Sequence, residues 1–295
     1  MMWLVDLLFT RGALTRAQID DYWAKASLND MHESCIPRRT FFRMKDDLLL
    51  LFDIEIEYNK HTGKFAIANT EYLKNNILKQ WLIDNFAIRN TLSEAQQMQD
   101  RVLLENIPSG NKFLTIVADA MRQNVSVKIQ YKSFQMSETR EFEVMPYCLK
   151  VFKQRWYLFG PRVGNDEPHF YALDRVHNLS LTANKFCVPA DFDATNYLRY
   201  YYGIMRDKTE PQTVQIRVTP FRANYIRTVP LHHSQKETEF TNEYSIFEYW
   251  LAPTADFIQE LRSVLPEITV LQPQWLREKF IEEAKHILEN YKKLI

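Results

Sequence analysis

The sequence predicts an α+β fold divided into several domains. Three observations lead there. The chain has 295 residues, about twice a usual domain of roughly 100–150 residues. Apolar residues recur at helical spacing over the first fifty residues and again from 70 to 105, but alternate with period two in short runs between 125 and 186. Finally, Ile107-Pro108-Ser109-Gly110 interrupts the chain as a domain boundary would.

The first seventy residues read as helix, helix, helix, hairpin. Trp3, Leu4, Leu7 and Leu8 lie at helical spacing, and Thr15 is placed as an N-cap before Ala17-Gln18-Ile19, whose apolar face continues through Tyr22 and Trp23. After Asn29-Asp30, Pro37 suits the first turn of a third helix over 38–51, with Phe41, Phe42, Met44, Leu48 and Leu51 as its expected apolar face. Between Ser34 and Lys45 stand four basic residues and no acidic one. The alternation Ile54-Glu55-Ile56-Glu57-Tyr58, a turn over 59–63 and a return through Lys64-Phe65-Ala66-Ile67 predict a β-hairpin. Three helices followed by a hairpin is the winged helix-turn-helix order, in which the third helix enters the major groove.

Residues 70–105 contain no Gly or Pro and are expected to form a helical connector. Beyond the boundary come a helix over 113–122 and strands over 125–131, 140–151, 155–160, 169–173 and 179–186, which suggest a small, strongly bent sheet or barrel. Past the aromatic run Tyr197 to Tyr202, the expected order is strand, helix, two strands, helix, strand and helix over 213–292, an α+β unit.

Composition excludes several functions. Thirty-seven basic residues balance thirty-seven acidic ones, so overall positive charge does not drive any nucleic-acid binding. No apolar run approaches the roughly 18 residues of a membrane helix. The first ten residues, with Asp6 inside and no basic start, are not expected to be a secretory signal, and a cytoplasmic location is expected. Six glycines assemble neither a dinucleotide-binding nor a P-loop motif. Cys35, Cys148 and Cys187 are scattered, with the latter two expected to pack in strands, and His232-His233 is adjacent rather than spaced for a metal. No nucleophile motif is present, so no catalytic residue, metal or cofactor is expected and the protein is read as a non-enzyme.

Four blocks in the middle carry a resemblance: 127–131 (Val-Lys-Ile-Gln-Tyr), 140–146 (Arg-Glu-Phe-Glu-Val-Met-Pro), Arg155-Trp156-Tyr157-Leu158, and 170–176 (Phe-Tyr-Ala-Leu-Asp-Arg-Val). In this order and separation they resemble the WYL domain, whose Trp-Tyr-Leu signature is present. Bacterial WYL-domain transcription regulators have an N-terminal winged helix, a central Sm-like β-barrel and a C-terminal α+β extension. The resemblance therefore implies a winged helix-turn-helix over 1–69, a connector over 70–110, a WYL barrel over 111–202 and a dimerising α+β extension over 203–295. In layout the chain looks most like the BrxR-type repressors beside BREX phage-defence operons. One departure is His169, where many members have an arginine, so the ligand differs or its binding depends on pH.

Two sites are expected. Arg38, Arg39, Thr40 and Arg43, at the start of the third helix, would read bases, because arginine pairs bidentately with guanine. Lys45 on the same helix, with Lys60, His61 and Lys64 on the hairpin, would contact phosphates. In the WYL domain, the resemblance assigns Arg140, Tyr157, His169 and Arg175 to a nucleotide or single-stranded nucleic-acid effector; arginine forks onto phosphate and tyrosine stacks on bases. Strand alternation places Arg155, Tyr157 and Phe159 on one side and Trp156 and Leu158 on the other, while Tyr171, Leu173 and Arg175 are expected to share a face. The combined expectation is a homodimeric repressor of a phage-defence operon that binds an inverted repeat in double-stranded DNA. The alternative is a single-stranded nucleic-acid-binding accessory protein of repair or defence.

Overall fold

In a computed structural model, residues 1–26, 28–29, 31–76, 79, 110–134 and 138–293 are described. They fall into two units, Met1–Glu105 and Asn106–Ile295. Most of the expected connector, residues 77–109 apart from Lys79, lies outside the described residues; its beginning is a short helix, Thr70–Asn75.

The first unit contains α1 (Met2–Arg11), β1 (Leu14–Thr15), α2 (Arg16–Ala24), α3 (Arg38–Phe52), β2 (Ile56–Asn59) and β3 (Lys64–Ile67). Thr15 caps α2 through a reciprocal box: Gln18 N donates to Thr15 Oγ1 and Thr15 N donates to Gln18 Oε1. α3 enters behind Pro37 and stops at Asp53, whose left-handed φ of +53° ends the helix. Its buried residues are Phe41 and Leu48. Phe42 and Leu51, expected on the same face, are 44% and 64% exposed. Adjacent residues are about 100° apart around a helix, so Phe41 and Phe42 cannot share one buried stripe. The strands form one antiparallel sheet in the order β1-β3-β2, and Phe65 of β3 packs its ring 4.9 Å from Phe41.

The second unit opens with α5 (Leu114–Gln123), the label α4 belonging to Thr70–Asn75, then β4 (Val125–Tyr131), β5 (Arg140–Val144), β6 (Cys148–Phe152), β7 (Arg155–Pro161), β8 (Pro168–Ala172) and β9 (Val176–Lys185). These make two three-stranded antiparallel sheets, β5-β4-β9 and β6-β7-β8. The expected strand over 140–151 is thus two. Pro146 has no N–H for a ladder, and the chain bends there while Met145 N and Tyr147 N still donate to Pro161 O and Phe159 O, both at 2.9 Å. The bend depends on Gly160: a Cβ there would lie 1.9 Å from Met145 O.

The expected closed Sm-like barrel is corrected accordingly. The two sheets join through a bridge between Val144 and Arg162, but among the described residues no ladder closes the other side. Between β8 and β9 the chain makes a 3-10 turn, Leu173–Arg175, instead of continuing as paired strand. Past that turn strand parity no longer applies: Tyr171 and Leu173 are buried in the core, whereas Arg175 is half-buried with its guanidinium over the Phe134 ring.

A short helix, α6 (Ala194–Leu198), leads to a four-stranded sheet, β11-β12-β10-β13, made of β10 (Gln212–Val218), β11 (Lys236–Phe240), β12 (Ser245–Leu251) and β13 (Ile268–Gln272). Helices α7 (Pro220–Thr228), α8 (Ala255–Arg262) and α9 (Gln274–Lys292) contribute Ala223, Ile226, Phe257, Leu261 and Leu276 to its core. The aromatic run joins the two halves of this unit. Tyr202 packs edge-on against Phe152 of β6 and Phe257 of α8, and Ala252 N donates to Tyr200 O.

Candidate functional site

The entry of α3 is clamped by a charged pair on α2. Asp20 accepts Arg16 Nε and Nη2 at 3.0 and 3.1 Å and Ile36 N at 3.0 Å, while Arg16 donates to Ile36 O and stands 4.3 Å over the Phe41 ring. This fixes the residues just before α3 and so the direction in which its first turn points. Arg38, Arg39 and Arg43 are exposed on that helix, and among the described residues none is ion-paired; Thr40 is half-buried. Arg38 lies 5.8 Å from the Phe42 ring. Exposed guanidinium groups without ion pairs on a helix are what base-edge recognition requires.

Lys45 is set apart from the three arginines by its burial. It is half-buried, 5.8 Å from the Phe42 ring and 5.6 Å from Phe65, on the side of α3 that meets the hairpin. Together with Arg38, Phe42, Tyr58 and Phe65 it lines a mainly apolar groove of about 550 Å³. The hairpin residues Lys60, His61 and Lys64 share a separate shallow depression with Glu57. Its turn is held by Asn59, whose side chain accepts His61 N and Thr62 N, and by Gly63 at φ +66°.

The second unit contains a cavity of about 230 Å³. It lies where the sheets fail to close, between Tyr131 at the end of β4, Tyr157 of β7, His169, Phe170 and Ala172 of β8, and Arg175 of the 3-10 turn. Three of the four expected effector residues, Tyr157, His169 and Arg175, therefore meet there. Arg140 does not: it is exposed at the start of β5, opposite Tyr131 in register but outside the cavity lining. Tyr157 is buried, which raises its phenol pKa and keeps it a neutral donor.

Arg175 is not paired with Asp174. That carboxylate is 3.5 Å from Arg155, whereas the Arg175 guanidinium stacks 3.9 Å from the Phe134 ring and its buried Nε has no partner among the described residues. A stacked guanidinium without a counter-charge is poised for an anion. Leu158 and Trp156 belong to the core or pack against it. Cys148 is half-buried in β6, where burial pushes its thiol up to about 11; Cys187, expected in a strand, is exposed just after β9.

Sequence reasoning missed one wall of this cavity. Ile204, Met205 and Arg206 line it from a segment far along the chain. Arg206 donates Nη1 to Pro168 O at 2.9 Å and Nη2 to Tyr197 Oη at 3.1 Å, and its Cζ lies 4.9 Å from the Tyr197 ring. The signal available was an arginine following the aromatic run 197–202, a setting in which it stacks rather than remaining free in solvent. Glu167, exposed, is the acidic group in the lining.

Residues 112–181 match the family model described as the WYL domain, and residues 210–288 match the one described as the WCX domain. The chain carries a WYL domain and a WCX domain. The cavity is built on the WYL strands, and the two domains in this order support a WYL-domain regulator. Among solved structures, the chain is similar to proteasome accessory factor B/C (PafBC) of Arthrobacter aurescens, with 20% identity and a TM-score of 0.34, over 94% of this chain and 44% of that one. It is also similar to a CRISPR Cas-related protein, with 11% identity and a TM-score of 0.40, over 61% of this chain and 51% of that one. The chain thus spans about half the length of the solved structures it matches. No curated protein matches it. No helix among the described residues is long and apolar enough to cross a membrane, and none of their His, Cys, Asp and Glu side chains cluster as a metal site.

Proposed function

We propose that the protein is a sequence-specific transcription regulator whose first 69 residues act as a winged helix-turn-helix on duplex DNA and whose WYL cavity binds an anionic effector. The observation that carries the reading is the row of exposed arginines without ion pairs among the described residues, Arg38, Arg39 and Arg43, on a helix whose entry is clamped by Asp20 and followed by a hairpin. The WYL domain supports the regulator class. A single recognition helix covers only a few base pairs, so the reading includes a homodimer on an inverted repeat, paired through the region from 203 onward. It further includes a cytoplasmic repressor of a phage-defence operon, with no catalytic step, metal or cofactor.

At about 230 Å³ the cavity is smaller than the roughly 300–1,000 Å³ of drug-sized sites. The effector portion it takes is one nucleotide unit, free or at the end of a single strand. Release of DNA then follows only if that unit binds the DNA-free arrangement more tightly.

The test is selection from a random duplex pool with the wild-type protein and with Arg38→Ala/Arg43→Ala. An inverted repeat recovered by the wild type and lost by the double variant supports the reading. Recovery of no motif, or of the same motif by both proteins, overturns it.

A further inference from the structure

The segment that closes the cavity is held in place by the WCX domain. Asp256, in the first turn of α8, accepts the backbone N–H of Ile204 at 2.7 Å and of Met205 at 2.6 Å through the same oxygen, Oδ2. The preceding residue is Gly203, which is buried and has no room for a side chain: a Cβ would lie 2.3 Å from that oxygen. From the opposite side Lys150 of β6 donates Nζ to Gly203 O at 2.5 Å. Burial pushes the Lys150 pKa down, and Asp256 acts in the other direction. One carboxylate and one ammonium group, from two domains, therefore grip three consecutive residues, and the next one, Arg206, reaches across to β8 through Pro168 O.

We propose that residues 203–206 form a strap across the WYL cavity, with Asp256 as its positioning residue, so that what occupies the cavity and how α8 of the WCX domain sits are coupled. This rests on the effector reading above and adds the route by which a bound nucleotide unit is felt outside the WYL domain. A carboxylate receiving two backbone N–H bonds holds its donors far more firmly than a water would. An anion drawn to Arg175 and Arg206 shifts Arg206, and Arg206 is continuous with the two amides that Asp256 holds. The binding energy available at the cavity is thereby shared with the contact to α8, and by linkage any movement of α8 alters affinity at the cavity.

The variants are Asp256→Ala, which removes the acceptor, and Gly203→Ala, which leaves the carboxylate intact but fills the space it occupies. Two measurements are made on the full-length chain: amide hydrogen exchange over 203–206, and binding of two probes, thymidine 5′-monophosphate and a 5′-phosphorylated four-nucleotide thymidine oligomer. In both variants exchange at Ile204 and Met205 is expected to accelerate about tenfold or more, and affinity for whichever probe the wild type binds to fall about tenfold, both read well below each variant's thermal midpoint so that the folded chain is compared. Asp256→Glu restores part of both, which a general loss of folding would not do. Unchanged exchange in Asp256→Ala overturns the strap. Faster exchange with unchanged probe affinity shows that the strap is no part of the site and overturns the coupling. Failure of the wild type to bind either probe overturns the effector reading itself, and the coupling with it, while the exchange result still decides whether Asp256 holds the strap.

Discussion

Mild acid should destabilise the second unit through a single imidazole. His232 is 7% exposed. Its Nε2 lies 2.8 Å from Arg199 O, which can only accept, so Nε2 carries the proton; Nδ1 receives Ser234 N at 3.3 Å and lies 2.8 Å from Ser234 Oγ. The neutral ring is therefore satisfied on both sides, with no carboxylate beside it among the described residues to favour a second proton. Burial first, then the His233 ring with its centroid 4.1 Å away, push the pKa from 6.5 to about 4. The unfolded chain takes up a proton below pH 6.5 and the folded one does not until about pH 4, so this contribution is complete above 6.5 and is lost as pH falls across that window. At pH 5 the difference is about 1.5 pH units, or about 2 kcal/mol at 1.36 kcal/mol per unit. For a unit of this size that lowers the melting temperature by roughly 4–8 °C. The assay is urea unfolding at pH 7.5 and pH 5 for the wild type and His232→Gln, which keeps a donor for Arg199 O but cannot titrate. The wild type should lose about 2 kcal/mol more than the variant; equal losses would refute the account.

Other expectations concern both units. Asp20→Ala leaves Arg16 and Ile36 N without their acceptor, so the first unit should lose about 2 kcal/mol in denaturant unfolding, with weaker duplex binding at 25 °C because the entry of α3 is released. Gly160→Ala forces a Cβ against Met145 O at the β5–β6 bend; a loss of about 3 kcal/mol or more, read as a lower melting temperature or insoluble protein, is expected. Lys60→Ala/Lys64→Ala should reduce the slope of log affinity for duplex DNA against log salt by about 2 while leaving the selected sequence unchanged, measured by fluorescence anisotropy.

What the sequence made legible was whatever is encoded locally. Thr15 followed by Gln18 announces a helix start, and both bonds of the capping box form. The alternation on either side of Asn59 to Gly63 announces a hairpin whose turn Asn59 then closes. What stayed illegible depends on residues distant in the chain. Val144 to Leu149 is a continuous apolar run that reads as buried strand, and although Pro146 marks a break within it, the geometry of the bend needs Gly160 from another strand to receive Met145 O. Parity counting put Arg175 on the Tyr171 face because nothing local distinguishes the last strand residue from the first residue of a 3-10 turn. Tyr157, His169 and Arg175 carried a motif and could be named; Arg206 and Asp256 carried none, since their roles arise from contacts made 38 and 52 residues away.

The two candidate sites use the same side chain in opposite physical states. Arg38, Arg39 and Arg43 are exposed and free of ion pairs among the described residues, with Arg38 only loosely over the Phe42 ring at 5.8 Å, so most of their rotamer freedom is retained until they bind. On duplex DNA that entropy loss is offset by release of condensed counterions, a gain that grows with the number of phosphates neutralised and vanishes for a small ligand. Arg175 and Arg206 are the reverse. Each is half-buried and stacked, on Phe134 and on Tyr197, so most of their ordering is complete before a ligand arrives. Preorganisation of this kind favours a ligand with few charges and a small contact area, where lost side-chain entropy would otherwise cancel the gain. Exchanging the two states should fail in both directions: stacked arginines could not follow a DNA groove, and free ones would hold a single nucleotide unit too weakly to move a strap. On the proposed reading, the distribution of stacked and free arginines, more than their number, suits the polymer to α3 and the small anion to the WYL cavity.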